Sequence, residues 1–115
     1  MVSMKALIFI LNDADLLQPL LDELKEAGVR GCTIFDTSGM GRELAYKTPD
    51  AFSMIFGAGR KTPQQTSSKT LMMVVQEDRV PGIIAAIENV VGSLDEPGTG
   101  IAFTYSLDMV KGLKL

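Results

Sequence analysis

The sequence predicts an α+β domain in which four strands form one antiparallel sheet and two helices cover one of its faces. Three observations carry this expectation. Two β-α-β stretches of similar length flank a central segment with no regular period, each helical stretch has one apolar stripe, and the first and third strands are apolar on both sides.

The first strand is residues 4–11 (MKALIFIL), whose alternate sets Ala6, Ile8, Ile10 and Leu7, Phe9, Leu11 are both apolar. Residues 12–15 supply side-chain oxygens suited to capping a helix N-terminus. Leu16, Leu17, Leu20, Leu21, Leu24 and Ala27 then recur at helical spacing, with Asp22, Glu23, Lys25 and Glu26 on the other side. Pro19 requires this helix to start near Asp15, so that the ring falls in its first turn, and Gly28 stands where a C-terminal glycine belongs. A second strand follows over residues 31–37.

Residues 38–68 are rich in Gly, Ser, Thr, Pro and Gln and read as a long loop with one short apolar cluster at 51–56. Loops of this length in small domains are usually functional, so it is the first place to look for activity. Regular pattern returns with a strand at residues 69–76 (KTLMMVVQ). Asp78 is placed to cap a second helix carrying Val80, Ile83, Ile84, Ile87 and Val91 on one face, with Pro81 in its first turn and Gly92 at its end. A turn-rich segment at 93–100 leads into the last strand, residues 101–106 (IAFTYS).

Two βαβ halves with right-handed crossovers interleave most simply as a ferredoxin-like βαββαβ fold. Two helices cover one sheet face only, and strands apolar on both sides demand cover on the other. The sequence therefore predicts a homo-oligomer packed sheet to sheet; the alternative is a loop that folds back over the open face through Phe52, Met54, Ile55 and Phe56.

Composition narrows function. The 115 residues are read as one domain, 1–115, and their 46% hydrophobic and 22% charged content is that of a folded protein. A net charge of -3 argues against nucleic acid as a partner. The 4–11 stretch is too short to span a bilayer and no small-residue cleavage site follows it, so a cytoplasmic location is expected. One cysteine forbids an internal disulfide, and the absence of histidine removes the commonest general base and a favoured metal ligand. Neither catalytic residues nor a metal site are assigned, and Cys32 reads as a small buried apolar side chain.

Two glycine segments stand out. Gly39-Met40-Gly41-Arg42, followed by Glu43, opens the long loop, where it forms either a plain turn or an anion nest of backbone amides beside the Arg42 guanidinium. Gly98-Thr99-Gly100 precedes the last strand and is either a tight turn or a second place where amides approach a ligand. The carboxylates at Asp13, Asp15, Asp22, Glu23 and Glu26 read as capping and a solvated helix face, and Asp95-Glu96 as a solvated turn.

This order of elements, with Glu26-Ala27-Gly28-Val29-Arg30-Gly31-Cys32-Thr33, Gly39-Met40-Gly41-Arg42 and Gly98-Thr99-Gly100 before Ile101-Ala102-Phe103, resembles the PII-like signalling proteins over almost the whole chain. The resemblance implies a homotrimer that binds an adenine nucleotide in clefts between subunits and docks on a target protein through its long loop, here 38–68, the T-loop. It places Gly39, Gly41 and Arg42 at the base of that loop and Gly98 and Gly100 in the B-loop around the phosphates. Met40, Glu43 and Thr99 complete the expected ligand-binding set. The chain departs from the nitrogen-regulatory members in having Ile101 for a phosphate-binding lysine, Glu43 for a glutamine that serves 2-oxoglutarate, and only Lys111 and Lys114 for C-terminal arginines. The alternatives are a structural or metal-binding trimer of the CutA type, or a small enzyme using Glu43, Tyr46 or a lysine.

Overall fold

The computed structural model describes residues 3–47 and 68–114, with side chains of residues 45–47 left aside. The order is β1 (Met4–Leu11), a 3-10 turn (Ala14–Leu16), α1 (Leu17–Glu26), β2 (Thr33–Thr37), α2 (Met40–Lys47), β3 (Ser68–Gln76), a second 3-10 turn (Glu77–Arg79), α3 (Val80–Val91) and β4 (Ile101–Ser106). The strands form one sheet in the order β2-β3-β1-β4. All three strand pairings are antiparallel, so this is the ferredoxin-like α+β fold.

Alternation along the strands splits the apolar residues between two faces. Leu7, Phe9 and Leu11 of β1 and Leu71, Met73 and Val75 of β3 lie in one buried cluster with Leu20 and Leu24 of α1 and Ile83 and Ile87 of α3. Each of these side chains contributes roughly 1.5–3 kcal/mol when taken out of water, which is why the two helices settle on this face.

The register fixes what the other face carries. Across the sheet run the rows Tyr105-Ala6-Val74, Phe103-Ile8-Met72-Thr33 and Ile101-Ile10-Thr70-Phe35. On this open face Ile101, Phe103 and Tyr105 are 59%, 47% and 50% exposed, so in one subunit nothing among the described residues covers the β4 side. Phe52, Met54, Ile55 and Phe56, the candidates for intramolecular cover, lie outside the described residues.

Local signals set most element ends. Asp13 caps the first 3-10 turn by accepting the Asp15 amide at 3.1 Å, and Pro19 falls in the first turn of α1. α1 ends in a Schellman motif: Gly28 has φ +94°, its amide donates to the Lys25 carbonyl at 3.1 Å, and the Val29 amide donates to the Leu24 carbonyl at 2.9 Å.

Three local expectations are corrected. Asp78 does not cap the second long helix: it sits inside the 3-10 turn Glu77–Arg79, and α3 starts at Val80 without a side-chain cap. β2 begins at Thr33 rather than residue 31, because only from Thr33 onward does the chain pair with β3. The connection after β2 is not irregular from residue 38. It opens with an eight-residue helix, Met40–Lys47, a third helix beside the two expected.

Candidate functional site

Residues 39–43 and 98–100 leave the sheet at the same end. Thr37 pairs with Ser68 and Phe35 with Thr70, while Ile10, opposite Thr70, pairs with Ile101 at the start of β4. β2 and β4 are the two edges, so the segments are separated by three strand spacings, roughly 14 Å.

The end of β2 is held on both faces. The Thr37 and Thr70 hydroxyls are 2.8 Å apart, and Lys69 forms an ion pair and hydrogen bond with Asp36. From this fixed point the chain turns directly into α2, where the Glu43 amide donates to the Gly39 carbonyl at 3.1 Å. Gly41 is buried, Arg42 is half-buried, and Met40 and Glu43 are exposed.

Neither of the two forms the sequence left open here, a plain turn or an anion nest, is built. A nest needs left-handed backbone, and neither Gly39 nor Gly41 has a positive φ. Met40, Gly41 and Arg42 instead supply the first turn of a helix, whose amides have no carbonyl partner within the helix and carry its positive end. Glu43 stands in that first turn and offsets part of this positive potential.

The second segment does use left-handed glycine. Gly98 has φ +76° and Gly100 has φ +146°. The Asn12 side-chain amide donates to the Gly98 carbonyl at 2.9 Å, tying the turn to the end of β1. The Thr99 amide reaches the Glu96 carbonyl at 3.4 Å. A Cβ on Gly100 would lie 2.8 Å from Phe9 Cε1 and 2.9 Å from the Ile10 carbonyl oxygen. Gly100 is therefore dictated by torsion and by close approach to β1, whatever else the turn does. Ile101 begins the exposed β4 row, beside Ile10, and thus extends the open apolar face.

Cys32 is half-buried at the border of the core rather than inside it. Burial raises its thiol pKa, and a hydrogen bond from the Met72 backbone only partly lowers it; Arg30 nearby does not reverse the direction. The thiolate is the nucleophile, so Cys32 is expected to be alkylated by iodoacetamide at pH 8 severalfold more slowly in the folded protein than in urea. Equal rates, followed by mass spectrometry, would show that burial does not protect it.

Among the described residues no group of three His, Cys, Asp or Glu side chains is placed to hold a metal ion, and no helix is long and apolar enough to cross a membrane. The Tyr46 side chain lies outside those described.

The sheet order, the helices on one face and the two segments at one end define a ferredoxin-like domain of PII-like architecture. The family model for nitrogen regulatory protein P-II matches residues 4–114, and the chain belongs to this family of regulatory proteins. No protein of curated function matches it. Among solved structures it is similar to a functionally unknown protein from Pediococcus pentosaceus, at 17% identity and a TM-score of 0.64, covering 98% of this chain and 100% of that one. It is also similar to B. subtilis GlnK, solved as a complex with ATP, at 17% identity and a TM-score of 0.59, covering 93% of this chain and 84% of that one. At such identity the likeness to both is one of fold.

Proposed function

We propose that this chain is a cytoplasmic, ligand-responsive regulatory subunit without catalytic activity. It assembles as a homotrimer through the open sheet face, binds an adenine nucleotide at the sheet end bracketed by residues 39–43 and 98–100, and reports it to a target protein through the segment from 38 to 68. The observation that carries the reading is this bracketing. A helix start bearing Arg42 and a left-handed glycine turn sit at one end of the sheet, roughly 14 Å apart, a span an extended nucleotide covers. Family membership and the fold shared with an ATP-bound relative support it.

Ligand-dependent ordering of a loop is an established way to couple a small molecule to a partner surface. In this reading Arg42 pairs with a phosphate, while Glu43 and Ile101 reduce the positive charge around it and limit how highly charged a nucleotide the site holds.

The test is a thermal-shift screen of ATP, ADP, AMP, cyclic mono- and dinucleotides, 2-oxoglutarate and bicarbonate, with calorimetry on each hit. A ligand at 100 times its dissociation constant adds about 2.7 kcal/mol of stability. Arg42→Ala is expected to weaken a nucleotide hit by about 1.5–3 kcal/mol, the usual worth of a hydrogen bond to a charged group. Silence across the nucleotides, or a hit indifferent to Arg42→Ala, would overturn the assignment of this site.

A further inference from the structure

β2 is attached to the sheet unlike the other three strands. It forms one edge and pairs only with β3, all five of its residues are exposed, and none of them belongs to the buried cluster or packs against it. β4, the other edge, differs: Ala102 packs against the cluster, and the turn before the strand is tied to the end of β1 through Asn12. α2 continues β2 without adding an anchor. At eight residues with Gly41 inside it, this helix is too short to persist alone, and among the described residues it packs extensively on no other element.

Beyond the backbone ladder, what holds β2 lies at one end. Asp36 stands directly opposite Lys69 in the register, and their ion pair lies on the helix-covered face of the sheet. The Thr37 and Thr70 hydroxyls meet at 2.8 Å on the opposite face. Cross-strand pairs of this kind are what stabilises a strand that buries little. At the other end, among the described residues, no side-chain bond joins Thr33 to Met72. Lys69 keeps 25% of its side chain in water and Asp36 85%, so the pair separates without stranding a buried charge.

We propose that β2 and α2 open from the sheet as one unit, latched at its neck by Asp36–Lys69 and Thr37–Thr70, while the core between sheet and helices stays closed. Elements with few buried apolar contacts open locally at a free energy below that of global unfolding. Opening removes the 39–43 side of the candidate site and leaves 98–100 in place, because that turn is anchored on β1. The device belongs to the subunit itself: it operates without ligand and does not depend on what the site binds.

The test is hydrogen exchange of the full-length protein, followed residue by residue by NMR at low guanidinium concentrations. The β2 amides that donate to β3 are expected to exchange faster than those at the centre of β1, at rates that do not rise with denaturant, the signature of local opening. In Lys69→Met/Thr70→Val these amides should exchange about three- to tenfold faster, the combined worth of two exposed cross-strand pairs, while β1 and α3 stay within about twofold. Both substitutions keep the bulk of the side chain, so the strand itself is retained. β2 amides that exchange only through global unfolding, or a double variant that leaves them unchanged or accelerates β1 and α3 equally, would overturn the proposal.

Discussion

Phe103→Asp is expected to convert the assembled protein into monomers, read by size-exclusion chromatography with light scattering at micromolar concentration. Phe103 sits in the row Phe103-Ile8-Met72 at the middle of the open face and is 47% exposed in a single subunit. If a second copy covers that row, the substitution loses apolar burial and traps a carboxylate without a partner. The second effect dominates, since leaving a charge desolvated and unpaired costs several kcal/mol, and every 1.4 kcal/mol is tenfold in association. A drop of at least about a hundredfold in assembly affinity follows on that scale. The folded subunit should survive, because Phe103 is not part of the buried cluster between sheet and helices. A wild-type protein that is already monomeric, or a variant that still assembles, would sink the proposed sheet-to-sheet interface.

Gly100→Ala should destabilise the subunit itself, by about 2–4 kcal/mol, combining a backbone conformation that L residues rarely adopt with overpacking. The two causes act together at this residue. Its φ is +146°, and the added methyl would meet the Phe9 ring at 2.8 Å and the Ile10 carbonyl at 2.9 Å. Phe9 is wholly buried and cannot swing away, and the Ile10 carbonyl belongs to a central strand. For a domain of this size that loss corresponds to a fall of roughly 10–20 °C in Tm, measurable by circular dichroism. Gly39→Ala is the control: nothing lies within 4 Å of a Cβ there and φ is not positive, so its Tm should stay within a few degrees. Equal losses in both variants would show that the glycine turn before β4 is not the constrained one.

The two glycine segments, alike in sequence, thus owe their glycines to different causes. At 98–100 composition was a true guide, because left-handed torsion and contact with β1 both exclude a side chain. At 39–43 it misled. Two glycines suggest a break in regular structure, while Glu43-Leu44-Ala45 behind them has the propensity to propagate a helix, and the chain forms α2. The cap assigned to Asp78 failed for a related reason: two turn types, 3-10 and α, compete over the same few residues, and sequence spacing alone does not choose between them.

The sequence by itself determined the order of strands and long helices, the apolar stripes of α1 and α3, and the existence of a second apolar sheet face. These follow from periodicity, which the chain carries locally whatever it packs against. It also held the Schellman glycine at 28, the capping Asp13 and the tolerated Pro19, each an effect within one turn of helix. The antiparallel ferredoxin-like arrangement of the strands was legible too, but only the tertiary structure decided the register in which they pair, because register is settled by which side chains share a buried row. That register carries residues 39–43 and 98–100 to one end of the sheet and stops β2 short of the β3 terminus. A groove beside the free edge of β3, with Arg30, Arg79 and Leu113 in its lining, was not legible in advance: its walls are far apart in the chain, and a cavity is what remains when packing between such segments ends.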